Sequence, residues 1–214
     1  MKVKSTIILI VTLILVIVVV YLSSRNVGRI WTDTQQLQEQ LIQRLLKVDP
    51  GLLAEHASLV AAQNSGIARV LERNNFDGQG AYFSFTSLQH DYQQYPDLSL
   101  EQGRLDSGFY GGNFGLFHNL GDVPIDAVSI DDLPGDWGNM SADEFAKLRD
   151  NFPHIRPHYR PLAQPDMTYL LRSLQYEDSD LIVAFRIVQQ DRSGITFLWR
   201  ILKRFPPTPH PSRR

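Results

Sequence analysis

Hydrophobic residues are spread unevenly along the chain, and the densest run lies near the N-terminus. Residues 5–22 carry no charge, and from Ile7 onward only Thr12 and Tyr21 interrupt Ile, Leu and Val. A helix that crosses a bilayer needs roughly 20 apolar residues. The run therefore predicts a transmembrane signal-anchor over residues 5–22, preceded by a short tail at 1–4, with the lipid bilayer as its partner.

Two other interpretations of this run are a cleaved secretory signal and a buried helix of the body. The run is longer than a signal-peptide core of about 7–15 residues, and residues 20–24 offer no clean pair of small residues at cleavage spacing. A buried helix would show a polar stripe, which is missing from this sequence. Both alternatives are therefore weaker than a retained span.

The charges beside the span do not fix its orientation. Lys2 and Lys4 precede it while Arg25 and Arg29 follow it, so the positive-inside count is a tie. A terminal hydrophobic segment ahead of a large domain favours an extracytoplasmic body. We expect a single-pass protein of the cell membrane with its body outside the cytoplasm.

Residues 23–76 carry apolar positions at helical spacing. Leu37, Leu41 and Leu45 recur every four residues in a Gln-rich stretch, and Asp49-Pro50 is typical of a helix start. A second apolar stripe follows at Leu52, Leu59, Val60, Ile67, Val70 and Leu71. We expect membrane-proximal helices whose apolar faces, within residues 30–71, pack on the protein's own sheet or contact a protein partner or further copies of the chain.

The body, residues 77–205, begins and ends with strand patterns. Ala81–Leu88 alternates aromatic and small polar residues, as a strand does. Three apolar runs near the C-terminus predict a three-stranded antiparallel meander, at Met167–Tyr176, Leu181–Gln190 and Ile195–Phe205. With the helices ahead of it, this sheet predicts an α+β fold. The tail at 206–214 is rich in proline and ends in two arginines.

The second hairpin of the meander can be assigned a register. A three-residue loop at 192–194 would give Gly194 a left-handed conformation and pair Ala184 with Leu202. This register predicts one apolar face for the two strands, made of Leu181, Val183, Phe185, Ile187, Ile195, Phe197, Trp199 and Ile201.

The middle of the chain, residues 89–165, is rich in loop-forming residues. A short helix is predicted at 141–152, where Ser141 and Glu144 form a capping box. Residues 91–150 hold twelve acidic against three basic residues, so the segment is strongly acidic. A loop-rich stretch of this length is typical of a functional or covering insertion.

Composition narrows the possible chemistry. The chain has 214 residues, of which 43% are apolar, enough for one ordinary domain with an appendage or for two small domains. The 21 Lys and Arg nearly balance 23 Asp and Glu, so no nucleic-acid partner is expected. The lack of cysteine excludes disulfides, Cys-ligated zinc, iron–sulfur clusters and thiol nucleophiles. We expect no cofactor.

Three arginines of the meander are candidate ligand-binding residues. A loop at 178–180 in the first hairpin would place Arg172 beside Arg186 and Arg186 beside Arg200. Such a row needs something between the like charges, so this face could bind an anion or the acidic segment. The alternative is a solvated face on which the arginine stems cover apolar neighbours.

The Gly-rich aromatic stretch at 108–118 is a second candidate binding site. It lacks the signatures of phosphate and dinucleotide loops. Its aromatic side chains could line a pocket or contact a partner, or could simply fill the core. The residues proposed to contact a ligand are Phe109, Tyr110, Phe114 and His118.

The histidines provide the case for an enzyme. His154 and His158 have metal-ligand spacing, but Pro153 and Pro157 break the helix that would align them, so no metal site is predicted. His90 precedes Asp91, and His118 lies near Asp122, so acid–base chemistry is conceivable. No nucleophile elbow accompanies them, and we assign no catalytic residue.

The sequence supports three functional hypotheses. The first is a membrane-anchored, non-enzymatic interaction or assembly subunit. The second is a membrane-tethered hydrolase that uses histidines and acids of the middle segment. The third is an anion or small-ligand binding module that uses the arginine face. An exposed apolar helix face would favour the assembly subunit. Histidines that converge in one cleft would favour the hydrolase, and an arginine-lined hollow would favour the binding module.

Overall fold

A computed structural model describes residues 35–109, 113–151 and 160–209. The predicted span at 5–22 lies outside these ranges. Within the described ranges, no helix is both long and apolar enough to cross a membrane. The chain divides into two units between Arg44 and Leu45, and the described part of the first unit is helical.

The α-helices of the described residues are short. Asp49 starts the second of them as predicted, since its carboxylate accepts a hydrogen bond from the Gly51 amide at 2.6 Å and Pro50 occupies the first helical position. Ser141 and Glu144 form the predicted capping box of the fourth. The helices are α1, residues 35–45; α2, Pro50–Glu55; α3, Ala57–Ala61; and α4, Ala142–Lys147.

The strands form two antiparallel sheets. In chain order they are β1, Ser65–Leu71; β2, Tyr82–Phe83; β3, Leu98–Glu101; β4, Arg104–Asp106; β5, Phe114–Gly121; β6, Thr168–Gln175; β7, Ser179–Asp191; and β8, Gly194–Phe205. A five-stranded sheet has the order β1-β8-β7-β6-β5, and a three-stranded sheet has the order β2-β3-β4. The predicted antiparallel sheet and C-terminal meander are confirmed.

The prediction of a helix over 65–71 was wrong, because these residues form edge strand β1 beside β8. Apolar residues at 67, 68, 70 and 71 fit both a helical and an extended pattern, and pairing with β8 selects the extended form. The helical part of the pattern ends at Ala62, which has an extended backbone. The predicted strand at 81–88 is also shorter than expected, since only Tyr82 and Phe83 pair with β3.

The β7–β8 hairpin has a different loop from the predicted one but the predicted faces. Asp191 pairs with Gly194, which leaves a two-residue loop, and a register shift near Val188 places Ala184 opposite Arg200. This pairing differs from the predicted one by two positions, so the same residues share a face. Gly194 is required for a different reason, since a Cβ there would lie 2.0 Å from the Val70 carbonyl oxygen.

The two faces of the five-stranded sheet carry separate cores. On the first face, Tyr169, Phe185 and Phe197 pack against Phe83 and Leu105 of the three-stranded sheet. On the second face, apolar residues of β5 to β8 pack against residues 122–151, which we call the cover segment. This segment consists of α4 and short 3-10 turns, which include Ile125–Ala127, Ile130–Asp132 and Leu148–Asn151.

Candidate functional site

Arg172 lies fully buried between the five-stranded sheet and the cover segment. Its Nε and Nη2 donate to the two carboxylate oxygens of Asp180 at 3.1 and 2.8 Å. Its Nη1 donates to the carbonyl oxygens of Trp137 and, at 2.9 Å, Met140. Burial raises the pKa of Asp180, and the hydrogen bonds and charge of Arg172 oppose that rise. Arg172 is therefore committed to contacts within the chain.

The guanidinium of Arg172 also lies between two aromatic rings. Its central carbon is 4.4 Å from the ring centre of Phe145 in α4 and 4.2 Å from that of Phe205 at the end of β8. Each cation–π contact of this kind stabilises a desolvated cation by about 2 kcal/mol. The same side chain thus connects β6, β8 and α4.

Three further basic residues of the second face donate to carbonyl oxygens of the cover segment. Arg186 donates to Val123 at 3.1 Å, Arg200 to Val128 at 2.6 Å and Lys203 to Gly138 at 2.8 Å. Arg186 also forms an ion pair with the exposed carboxylate of Asp122, at 2.7 Å. The contacts between the basic face and the acidic segment therefore run mainly through backbone oxygens rather than carboxylates.

The three arginines lie on one face but not in one row. Arg172 is opposite Ile182, and Arg186 is opposite Thr168. Arg200 is opposite Ala184. The first hairpin does not have the three-residue loop at 178–180 on which that row depends, because Gln175 pairs with Ser179 and the turn occupies residues 176–178. The arginines are separated along the strands, so like charges do not lie directly opposite each other.

The residues of the Gly-rich aromatic stretch do not converge on a common surface. Phe114 is buried in the second core, and its ring centre is 5.2 Å from that of Phe145. Phe109 contacts the ring of Tyr82 edge-on at 5.6 Å. His118 lies on β5 opposite Leu170. Tyr110 lies outside the described residues.

The described histidines lie on separate elements. His90 is next to the edge of β1, where its Nε2 is 2.8 Å from the Arg69 carbonyl oxygen, and burial lowers its pKa. The contact requires the tautomer with a proton on Nε2, since a carbonyl oxygen only accepts. His56 lies between α2 and α3. His154 and His158 lie outside the described residues. Within the described part of the chain, no group of three or more His, Asp and Glu residues could hold a metal ion.

A buried polar cluster, which sequence reasoning missed, lies between the two sheets. Asp97 is fully buried and accepts hydrogen bonds from Ser173 Oγ at 2.7 Å and from the Phe85 amide at 2.9 Å. Gln175 and Asn113 extend the cluster along β6 and the start of β5. We call Asp97, Asn113, Ser173 and Gln175 the polar seam. Its signal in the sequence is the pair of polar residues, Ser173 and Gln175, that follow Tyr169 and Leu171 on the same face of β6.

A second polar cluster that the sequence did not predict lies where β1 of the five-stranded sheet meets the β7–β8 turn. Arg69 of β1 is buried and binds both carboxylate oxygens of Asp191 at 2.8 and 2.6 Å, Ser193 Oγ at 2.7 Å and Thr196 Oγ1 at 3.1 Å. Burial alone would raise the pKa of Asp191, but hydrogen bonds from Ser193 and Arg69 lower it to about 2. This cluster ties the β7–β8 turn to the edge strand.

One helix presents an apolar face to solvent. Leu37 and Leu41 of α1 are 66% and 48% exposed, and they lie one helical turn apart on the same side. The polar residues of α1 are mostly glutamines, with one basic residue, Arg44, on the side of the leucines and one acidic residue, Glu39, on the opposite side. This surface, the leucine face of α1, is the best candidate for contact with another molecule.

Comparisons with protein-family models, curated proteins and solved structures found no match for the chain.

Proposed function

We propose that the protein is a non-enzymatic assembly subunit, tethered to the membrane by residues 5–22, in which the leucine face of α1 binds a second copy of the chain. The observation that carries this proposal is the exposure of Leu37 and Leu41 one turn apart. Moving a leucine side chain from water into an apolar contact contributes roughly 1.5–3 kcal/mol. Two such residues on each partner supply a driving force for helix pairing.

Charge and tethering support a copy of the same chain as the partner. The described part of α1 carries one acid and one base, Glu39 and Arg44, so two α1 helices have no net charge with which to repel each other. Copies that share one membrane meet at a raised effective concentration, which strengthens a weak contact without adding new ones. Tethers at the same end of each chain favour a parallel pair of α1 helices.

Two observations favour assembly over the alternative functions. The described histidines lie on separate elements, and Asp122, the acid near His118 in sequence, pairs with Arg186. The buried arginine of the basic face is already bonded to Asp180 and to carbonyl oxygens of the cover segment. A hydrolase or an anion binder would need groups of this kind to converge on an open cleft.

Cross-linking in native membranes tests the proposed pair. Because the chain has no cysteine, a single Gln40→Cys variant can form only one disulfide, between two copies. Gln40 flanks the leucine face, whereas Gln43 lies on the opposite side of the helix. We expect oxidation to give dimers for Gln40→Cys and far fewer for Gln43→Cys. Equal yields from the two variants would contradict the proposal.

Disruption of the leucine face gives an independent test. We expect the double substitution Leu37→Asp and Leu41→Asp to abolish the Gln40→Cys cross-link while circular dichroism shows a folded body. Leu88→Asp is the matched control, because Leu88 is 52% exposed but lies in the body. Cross-linking that survives the double substitution would place the contact elsewhere.

The tether and its orientation are tested separately. We expect the full-length protein to remain in the membrane pellet after alkaline carbonate extraction. Protease added to the outside of intact cells should degrade the body if it is extracytoplasmic, whereas a cytoplasmic body should be cut only after lysis. Release by carbonate would contradict the membrane tether.

A further inference from the structure

Three hydrogen bonds of the polar seam form a chain that ends on the carboxylate of Asp97. Asn113 Nδ2 donates to Gln175 Oε1 at 2.6 Å, and Gln175 Nε2 donates to Ser173 Oγ at 3.1 Å. Ser173 Oγ in turn donates to Asp97 Oδ1 at 2.7 Å. The amide of Phe85 donates to the other carboxylate oxygen. This arrangement connects β5 and β6 to the loop that precedes β3.

Among the described residues, no basic side chain forms an ion pair with Asp97. Its partners from β6 and from the β2–β3 loop, Ser173, the Phe85 amide and Ser84, are neutral. The charged group that acts on it from the β6–β7 turn is Asp178, which repels it. An ionised Asp97 is therefore stabilised by hydrogen bonds alone, while burial and Asp178 favour the protonated form.

We propose that Asp97 is a proton-operated latch between the two sheets, which holds the β2–β3 loop on β6 when it is protonated and favours opening of the polar seam when it loses its proton to solvent. Opening exposes the carboxylate to water, where ionisation costs little. Proton release and opening therefore assist each other.

The extent to which pH changes the opening of the seam follows from the pKa of the Asp97 carboxyl in the closed and in the open seam. Burial raises the pKa of Asp97 from 3.8 to about 7 in the closed seam, while Ser173 and the Phe85 amide hold it below a still higher value. In the open seam the pKa returns toward its ordinary value. Each pH unit between these two values favours the open form about tenfold, so opening should increase by up to about a thousandfold between pH 4 and pH 7 and then level off.

Amide hydrogen exchange of the full-length protein in detergent, measured from pH 4 to pH 8, tests the latch. Protection factors, which correct for the intrinsic pH dependence of exchange, should fall with rising pH for residues 83–85 and 98–100. They should fall much less for β8. In Asp97→Asn, protection of the same residues should not vary with pH. Parallel profiles for the wild type and this variant, or an equal fall in all strands, would overturn the proposal.

A second variant keeps the test decisive if Asp97→Asn does not fold. Asp178→Asn leaves the seam intact but removes the repelling charge, so it should shift the midpoint of the pH profile to lower pH. Asp126→Asn is the matched control, because Asp126 is an exposed acid of the cover segment. An unchanged midpoint in Asp178→Asn, or an equal shift in both variants, would contradict the latch.

Discussion

The five-stranded sheet is covered on one face by regular strands and on the other by an irregular segment. The three-stranded sheet pairs much of its own backbone, so its contact with the five-stranded sheet is chiefly apolar and aromatic. The cover segment leaves carbonyl oxygens facing the sheet, and Arg172, Arg186, Arg200 and Lys203 donate to them. Basic residues on an inner sheet face can therefore donate hydrogen bonds to the carbonyl oxygens of an irregular covering segment rather than bind a ligand.

The largest loss of stability should come from replacing Arg172, the buried cation of the second face. Arg172→Met leaves the buried Asp180 and two carbonyl oxygens without their donor, so we expect a loss of about 3–5 kcal/mol in the free energy of unfolding. Denaturant unfolding of the full-length protein in detergent, followed by tryptophan fluorescence, measures this loss.

The pH dependence of that variant shows whether Asp180 causes the loss. Without Arg172, only the charge of Lys203 opposes the rise that burial causes in the pKa of Asp180, so the folded state favours the protonated acid more than the wild type does. The loss relative to wild type should therefore be smaller at pH 5 than at pH 8. The double variant Arg172→Met, Asp180→Asn removes the buried charge and should recover part of the stability at pH 8. No recovery would mean that the lost carbonyl contacts dominate.

On the first face, the free energy of unfolding should depend on apolar packing rather than on a buried charge. Leu105 of β4 is fully buried against the five-stranded sheet, and we expect Leu105→Ala to cost about 2–4 kcal/mol. The loss should be the same at pH 5 and pH 8 once the wild-type profile is subtracted. A strong pH dependence would show that the contrast between the two faces is wrong.

A smaller effect is expected at the helix cap of the cover segment. Ser141 Oγ accepts a hydrogen bond from the Glu144 amide, and Glu144 accepts one from the Ser141 amide. Ser141→Ala should lower the free energy of unfolding by about 1 kcal/mol. Ser141→Asp, which keeps an acceptor at the cap, should lose much less, as denaturant unfolding can show.

The smallest effect is expected at the exposed edge of the same face. Asp122 is 70% exposed and pairs with Arg186, so Asp122→Asn should change the free energy of unfolding by less than about 1 kcal/mol. The difference from wild type should shrink further in high salt. A larger, salt-independent loss would indicate that this ion pair matters more than the carbonyl contact of Arg186.

Alternation along the strands predicted the meander and its faces, because residues such as Phe185 and Trp199 keep their face when the register moves by two. The local pattern failed at Ile67 and Val70, where apolar neighbours fit two periods and the choice depends on the distant strand β8. The partners of Arg172 were also beyond prediction. Besides Asp180 they are carbonyl oxygens of a segment without periodicity, and no sequence pattern marks which carbonyl will face a strand.

The pairing of β1 with β8 has a consequence for biosynthesis. Arg69 and Thr196, which bond across this pair, are 127 positions apart. The edge strand β1 therefore leaves the ribosome long before its neighbour β8 exists. β1 cannot pair until β8 has emerged, and contacts of such separation slow folding. During that interval, any factor that shields Ile67 to Leu71 would guard the nascent chain against aggregation.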